Sequence, residues 1–112
     1  MAVSNKNLIL YRNELKNLKL PMYKVIGIVS ELILSKQVFR KNSEIEAFIL
    51  EVFNLKLKSY LYKSRTLLVA RMTREIVNQE ISGKQIKMLY NFVVVKIDEN
   101  QLTEKNQLDG WI

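Results

Sequence analysis

The chain has 112 residues, 48% of them apolar and 26% charged, with no cysteine and no histidine. That length fits one domain of the usual size, roughly 100–200 residues, and the balance argues against disorder throughout. The absent cysteine excludes disulfides and thiolate metal sites, and the absent histidine removes the usual neutral-pH general base and the commonest metal ligand.

Five segments carry helical period. In the first, Leu8, Tyr11, Leu15 and Leu18 recur at steps of three and four, which places them on one stripe. Pro21 ends or re-aims that helix, because its ring cannot continue the hydrogen-bond ladder. The second segment, about Met22 to Lys36, puts Val25, Ile28, Val29 and Leu32 on one face, weakened slightly by Gly27. The third opens on Ser43 and Glu46, the spacing of a reciprocal capping box. Ile45, Phe48, Ile49, Val52 and Phe53 follow at amphipathic helical spacing.

Asn54-Leu55 reads as a turn, and residues 56–63 fit either alternation or a short helix through Leu55, Leu57, Tyr60 and Tyr62. Ser64 is the predicted N-cap of a fourth helix through about Asn78, with Leu68, Met72 and Ile76 inward. Ser82 and Gln85 form a second capping box before a fifth helix carrying Ile86, Leu89, Tyr90, Val93 and Ile97. Phe92-Val93-Val94-Val95 has strand propensity, but no second strand is evident to pair with it, so helix is preferred. After Asp98 the chain turns polar and loses its period. The expected organisation is an all-α bundle of about five short helices over residues 1–98, with a polar C-terminal tail over 99–112. Trp111 in that tail is a candidate to dock on the body or on a partner.

No basic region followed by an apolar block and cleavage site opens the chain. The apolar stretches near Val25–Leu34 and Met88–Val95 fall short of the ~20 residues that span a bilayer, so a cytoplasmic protein without a membrane partner is expected. Lys, Asn and Ile richness is compatible with an AT-rich bacterial or mobile-element source.

Chemistry is sparse. Glu44 and Glu46 are two apart on a predicted helix and point in different directions; they read as first-turn acids favoured by the helix dipole. Lys63-Ser64 reads as a helix cap rather than a Ser–Lys nucleophile, and Gly83-Lys84 lacks the preceding glycines of a phosphate loop. An enzyme is not expected, and no cofactor or metal is implied.

Charge is the stronger signal. Lys and Arg number 18 against 11 Asp and Glu, a formal +7, and such an excess attracts polyanions. From Val52 to Thr73 there is no acid, while Lys56, Lys58, Lys63, Arg65 and Arg71 accumulate. Lys56, Lys58, Tyr60, Tyr62, Lys63 and Arg65 interleave cations with aromatics, the composition that grips phosphate and stacks on bases. Arg71 and Arg74 lie three apart on one helix face, and an Arg71–Glu75 ion pair is the structural alternative for that face.

The stretch around residues 44–63 resembles the helix-turn-helix pattern. Ile49, Leu50, Phe53, Asn54, Leu55 and Tyr60 occupy its inward and turn slots, with the second helix beginning near Lys56. Leu50 stands where a small residue is usual, Asn54 replaces the turn glycine, and Lys63 fills an apolar slot. The resemblance covers about twenty residues and implies that Lys58, Lys63 and Ser64 face the major groove while Arg65, Arg71 and Arg74 meet phosphates.

These readings converge on a small basic nucleic-acid-binding accessory or regulatory protein, with DNA as the expected partner and a homodimer as the expected state. Its candidate contacts are Lys56, Lys58, Tyr62, Lys63, Ser64, Arg65, Arg71 and Arg74. The alternative is a non-catalytic protein–protein interaction module or a subunit of a larger assembly, using Leu67, Val69 and Val77 on the flanks of the fourth helix.

Overall fold

A computed structural model of the chain describes the backbone of residues 5–109 and the side chains of residues 5–100. Its helices are α1 (Asn5–Leu15), α2 (Met22–Leu34), α3 (Asn42–Phe53), α4 (Arg65–Gln79) and α5 (Gly83–Asp109), with a 3-10 turn at Ser59–Lys63. Among the described residues there is no strand. α1 packs along α5 and α2 along α4, while α3 touches both α5 and the 3-10 turn, which leans on α4 in its turn. No described helix is long and apolar enough to cross a membrane.

Local chemistry sets most helix ends. α1 stops at Leu15, and the chain turns through Asn17, whose side-chain oxygen accepts from the Lys19 backbone N–H at 3.0 Å. The turn leaves Leu18 exposed and buries Leu20 in its place, so the first predicted stripe runs one residue too far. Pro21 does more than stop a helix. Its carbonyl accepts from Lys24 and Val25 and so opens α2, a position where its missing N–H is no loss.

The two capping boxes part company. At α5 both halves form: the Ser82 N–H donates to Gln85 Oε1 at 3.1 Å, and the Gln85 N–H donates to Ser82 Oγ at 3.3 Å. At α3 the helix instead begins at Asn42 behind Lys41, with no side-chain cap. Ser43 therefore lies inside the first turn, because the Asn42 side chain is tied to more distant residues and draws the helix start forward. Asn54 closes α3 in the left-handed region at φ 54°, the conformation that Gly or Asn adopts at helix C-termini.

The predicted inward stripes of α2 to α5 are buried in one core together with Leu8 and Leu15, except that Tyr90 of α5 is half-buried at its edge. Four phenylalanines tie its parts. Phe39 from the α2–α3 loop stacks on Phe92 of α5 at 5.5 Å, and Phe48 of α3 lies 4.5 Å from Phe92, 5.2 Å from Phe39 and 6.1 Å from Phe53. Such pairs add about 0.5–1.5 kcal/mol each beyond the area they bury. Phe92-Val93-Val94-Val95 is helical: Phe92 and Val93 reach the core while Val95 points outward. α5 continues through Asp98 to Asp109, so backbone helix extends into the stretch where apolar period fades. Trp111 lies outside the described residues.

The difference between the two boxes is measurable. Ser82→Ala should cost about 1 kcal/mol, the usual worth of a serine cap, and Ser43→Ala should leave urea-unfolding stability within about 0.5 kcal/mol. Equal losses from both would contradict the assigned helix starts.

Candidate nucleic-acid interface

Between α3 and α4 the chain settles the ambiguity of residues 56–63. Residues 54–58 have no helix; Leu55 and Leu57 are half-buried against the core and Lys56 and Lys58 are exposed, the alternation of extended chain. A 3-10 turn then closes with Leu61 N–H on the Lys58 carbonyl at 3.1 Å and Ser64 N–H on the Leu61 carbonyl at 3.3 Å. Within it Leu61 and Tyr62 point in, and Tyr60 and Lys63 point out. The second helix that the helix-turn-helix resemblance places at Lys56 is thus absent, and the next helix starts at Arg65. Leu55 and Leu57, spaced two apart, find the core through an extended backbone that a helix would not allow.

Two predicted contact residues have side-chain partners within the fold. Ser64 is the N-cap of α4, its Oγ accepting from the Leu67 N–H at 3.4 Å. Arg65 is half-buried and its guanidinium points inward. Nε donates to Asn42 Oδ1 at 3.1 Å, Nη1 donates to the carbonyls of Ile33 and Ser35 at 3.0 Å each, and Nη2 donates to the Phe39 carbonyl. These bonds engage four of the five N–H donors that a guanidinium carries. Two of the acceptors, the Ile33 and Ser35 carbonyls, lie at the end of α2, where helix geometry leaves carbonyls without an intrahelical partner. Asn42 completes the knot by donating to the Tyr62 carbonyl.

Tyr62 is buried, and its hydroxyl has no partner in hydrogen-bond geometry. Burial raises its phenol above the ordinary range, the Glu46 carboxylate adds to the rise, and the Leu57 backbone opposes it. Its ring is not available to stack on a base. Tyr60, two residues earlier, is 53% exposed.

The remaining candidates face solvent. Lys56, Lys58, Lys63 and Arg74 are exposed and Arg71 is half-buried. Among the described residues the ion pairs are Lys24–Glu14 at 3.6 Å and Lys96–Glu99 at 3.3 Å, so the Arg71–Glu75 pair is not formed and none of these five cations is neutralised. The Arg65 knot also brings in cations that spacing did not single out. It holds the loop 35–41 against the start of α4, and Lys36, Arg40 and Lys41 on that loop are exposed. Lys41 and Lys63 are chain neighbours of Asn42 and Tyr62, which are hydrogen-bonded to each other. The bonds that create this juxtaposition join residues 20 to 32 apart, a relation that no local pattern encodes. Glu44 and Glu46 on the first turns of α3 border the surface, so it is basic but not free of acids.

Among the described residues no group of three or more Asp or Glu side chains is placed to hold a metal ion.

Two measurements test these assignments. Arg65→Ala should lower stability by at least about 2 kcal/mol, the scale of a hydrogen bond to a charged group, and Arg65→Lys should not restore it, because an ammonium lacks the planar fork. Lys58→Ala and Lys63→Ala should be near neutral in the same assay. Tyr62 titrates later folded than unfolded, so the folded chain holds the extra proton and stability falls as pH rises beyond about 10, the ordinary tyrosine value. Tyr62→Phe should flatten that alkaline decline; an unchanged slope would contradict a buried phenol. No known family model, curated protein sequence or solved structure matches this chain.

Proposed function

We propose that the chain is a cytoplasmic, non-catalytic nucleic-acid-binding accessory or regulatory protein that grips phosphates with Lys56, Lys58, Lys63, Arg71 and Arg74. The observation that supports this reading is their freedom: four of the five cations lie on the acid-free stretch from Val52 to Thr73, Arg74 follows it directly, and none has an ion-pair partner among the described residues. Unneutralised cations on one continuous segment are what a phosphate backbone recruits, with release of its condensed counterions. Ser64, Tyr62 and Arg65 then support the surface rather than touch the ligand, since each already holds a place in the fold.

A second reading follows from exposed apolar side chains. Leu67 and Val77 are about half exposed on α4, on the flanks of Arg74, and a groove between α3 and α5 is lined by Val52, Met88, Phe92 and Val95. These features favour a protein-interaction module, a subunit of a larger assembly, or self-association as a homodimer. A protein partner that survives nuclease treatment in a pull-down supports this reading over the first.

The leading reading has a quantitative signature. Five engaged cations give a slope of log affinity against log salt of roughly −4 to −5 on duplex DNA, and a shallower one on single strands. Arg71→Ala/Arg74→Ala should reduce its magnitude by about 2. A flat salt response, or an unchanged slope in the double variant, would overturn it.

A further inference from the structure

We infer that the ligand of this basic surface is single-stranded nucleic acid, with Tyr60 as the residue that stacks on an unpaired base. The inference rests on the nucleic-acid reading above and goes beyond it in naming the strand state and the contact that selects it.

Reading a duplex in its major groove takes a helix or a two-stranded ribbon of the right width. Here Lys56, Lys58 and Lys63, the cations that flank Tyr60, lie on an extended segment and a 3-10 turn; Arg71 and Arg74 follow on α4, whose first residue is a guanidinium drawn into the protein. Lys56 and Lys58 project from the same side of that extended segment, about 7 Å apart by the rise of extended chain, an arrangement that tracks a flexible phosphate backbone.

Tyr60 supplies what a phosphate grip lacks. It is 53% exposed in the 3-10 turn, between exposed Lys58 and exposed Lys63, while its neighbour Tyr62 is 8% exposed and packed into the core. Tyr62 and Leu61 anchor the turn, so the Tyr60 ring is presented by a fixed element. An exposed aromatic among unpaired cations is the arrangement with which proteins hold unpaired strands, because every base offers a face for stacking. In an intact duplex those faces are covered by neighbouring base pairs, and Tyr60 has nothing to stack on. The exposed Arg40 and Lys41, held beside the turn through the Asn42 bond to the Tyr62 carbonyl, extend the phosphate track.

Fluorescence anisotropy on the full chain, with labelled oligo(dT), oligo(U) and a duplex of matched length at about 12 nucleotides, tests the inference within the usual site-size range. Single strands should bind more tightly than duplex, with the dT and U arms showing whether DNA or RNA is preferred. Tyr60→Ala should weaken single-strand binding about 5- to 100-fold and leave duplex binding unchanged, while Tyr60→Phe retains affinity. Tyr60 is exposed, so circular dichroism should show both variants folded. Duplex binding as tight as single-strand binding, or no loss with Tyr60→Ala, overturns the inference. If Arg71→Ala/Arg74→Ala still lowers binding in that case, the nucleic-acid reading stands without it. Binding to none of the probes overturns both.

Discussion

The guanidinium of Arg65 is the contact on which the arrangement of the basic surface depends. It is the first residue of α4, yet its donors reach the last turn of α2, the loop that follows and the first residue of α3. A charge that is half-buried is costly unless it is hydrogen-bonded, and here the carbonyls of Ile33, Ser35 and Phe39 face it. Ser35 shows the density of the knot: its backbone carbonyl accepts from Phe39 and from Arg65, and its Oγ accepts from Val38. The consequence runs outward. By fixing the loop 35–41, Arg65 sets where Phe39 enters the aromatic cluster and where Arg40 and Lys41 stand relative to Lys63.

The same contact divides the basic run into two kinds of cation. Arginine suits the inward position because its fork satisfies several acceptors at fixed geometry, whereas lysine keeps a hydrated point charge at the end of a flexible stem. In this segment Arg65 points in and the lysines at 56, 58 and 63 point out. The tyrosines divide likewise, Tyr62 into the core and Tyr60 toward solvent. A charge count of the segment treats these residues as equivalent, but the folded chain does not.

Helix content and the inward stripes were legible in the sequence because amphipathic period is a local property. Val25, Ile28, Val29 and Leu32, the Ile45–Phe53 pattern, Leu68-Met72-Ile76 and Ile86-Leu89-Val93-Ile97 are all buried as spacing indicates. The Ser82–Gln85 box was legible for the same reason, and the Ser43–Glu46 box misled because Asn42 answers to Tyr62 and Arg65 across the fold. The inward turn of Arg65 and the grouping of Lys41 with Lys63 were not legible at all, since they depend on pairs of residues 20 or more apart. For Tyr60 and Tyr62, alternation and short helix predicted the same positions, and only the 3-10 geometry distinguishes the exposed ring from the buried one.

Arg65 is internal structure, and the proposal built on it is that the cations around it form a surface that binds nucleic acid. An NMR titration of isotope-labelled protein with a short oligonucleotide examines both halves together. A resolved Arg65 Nε–H signal should exchange slowly with water and stay in place, while amide signals of Lys56, Lys58, Tyr60 and Lys63 and those near Arg71 and Arg74 should move. A rapidly exchanging Arg65 Nε–H, or shifts centred on a face that excludes these residues, would contradict this division of roles.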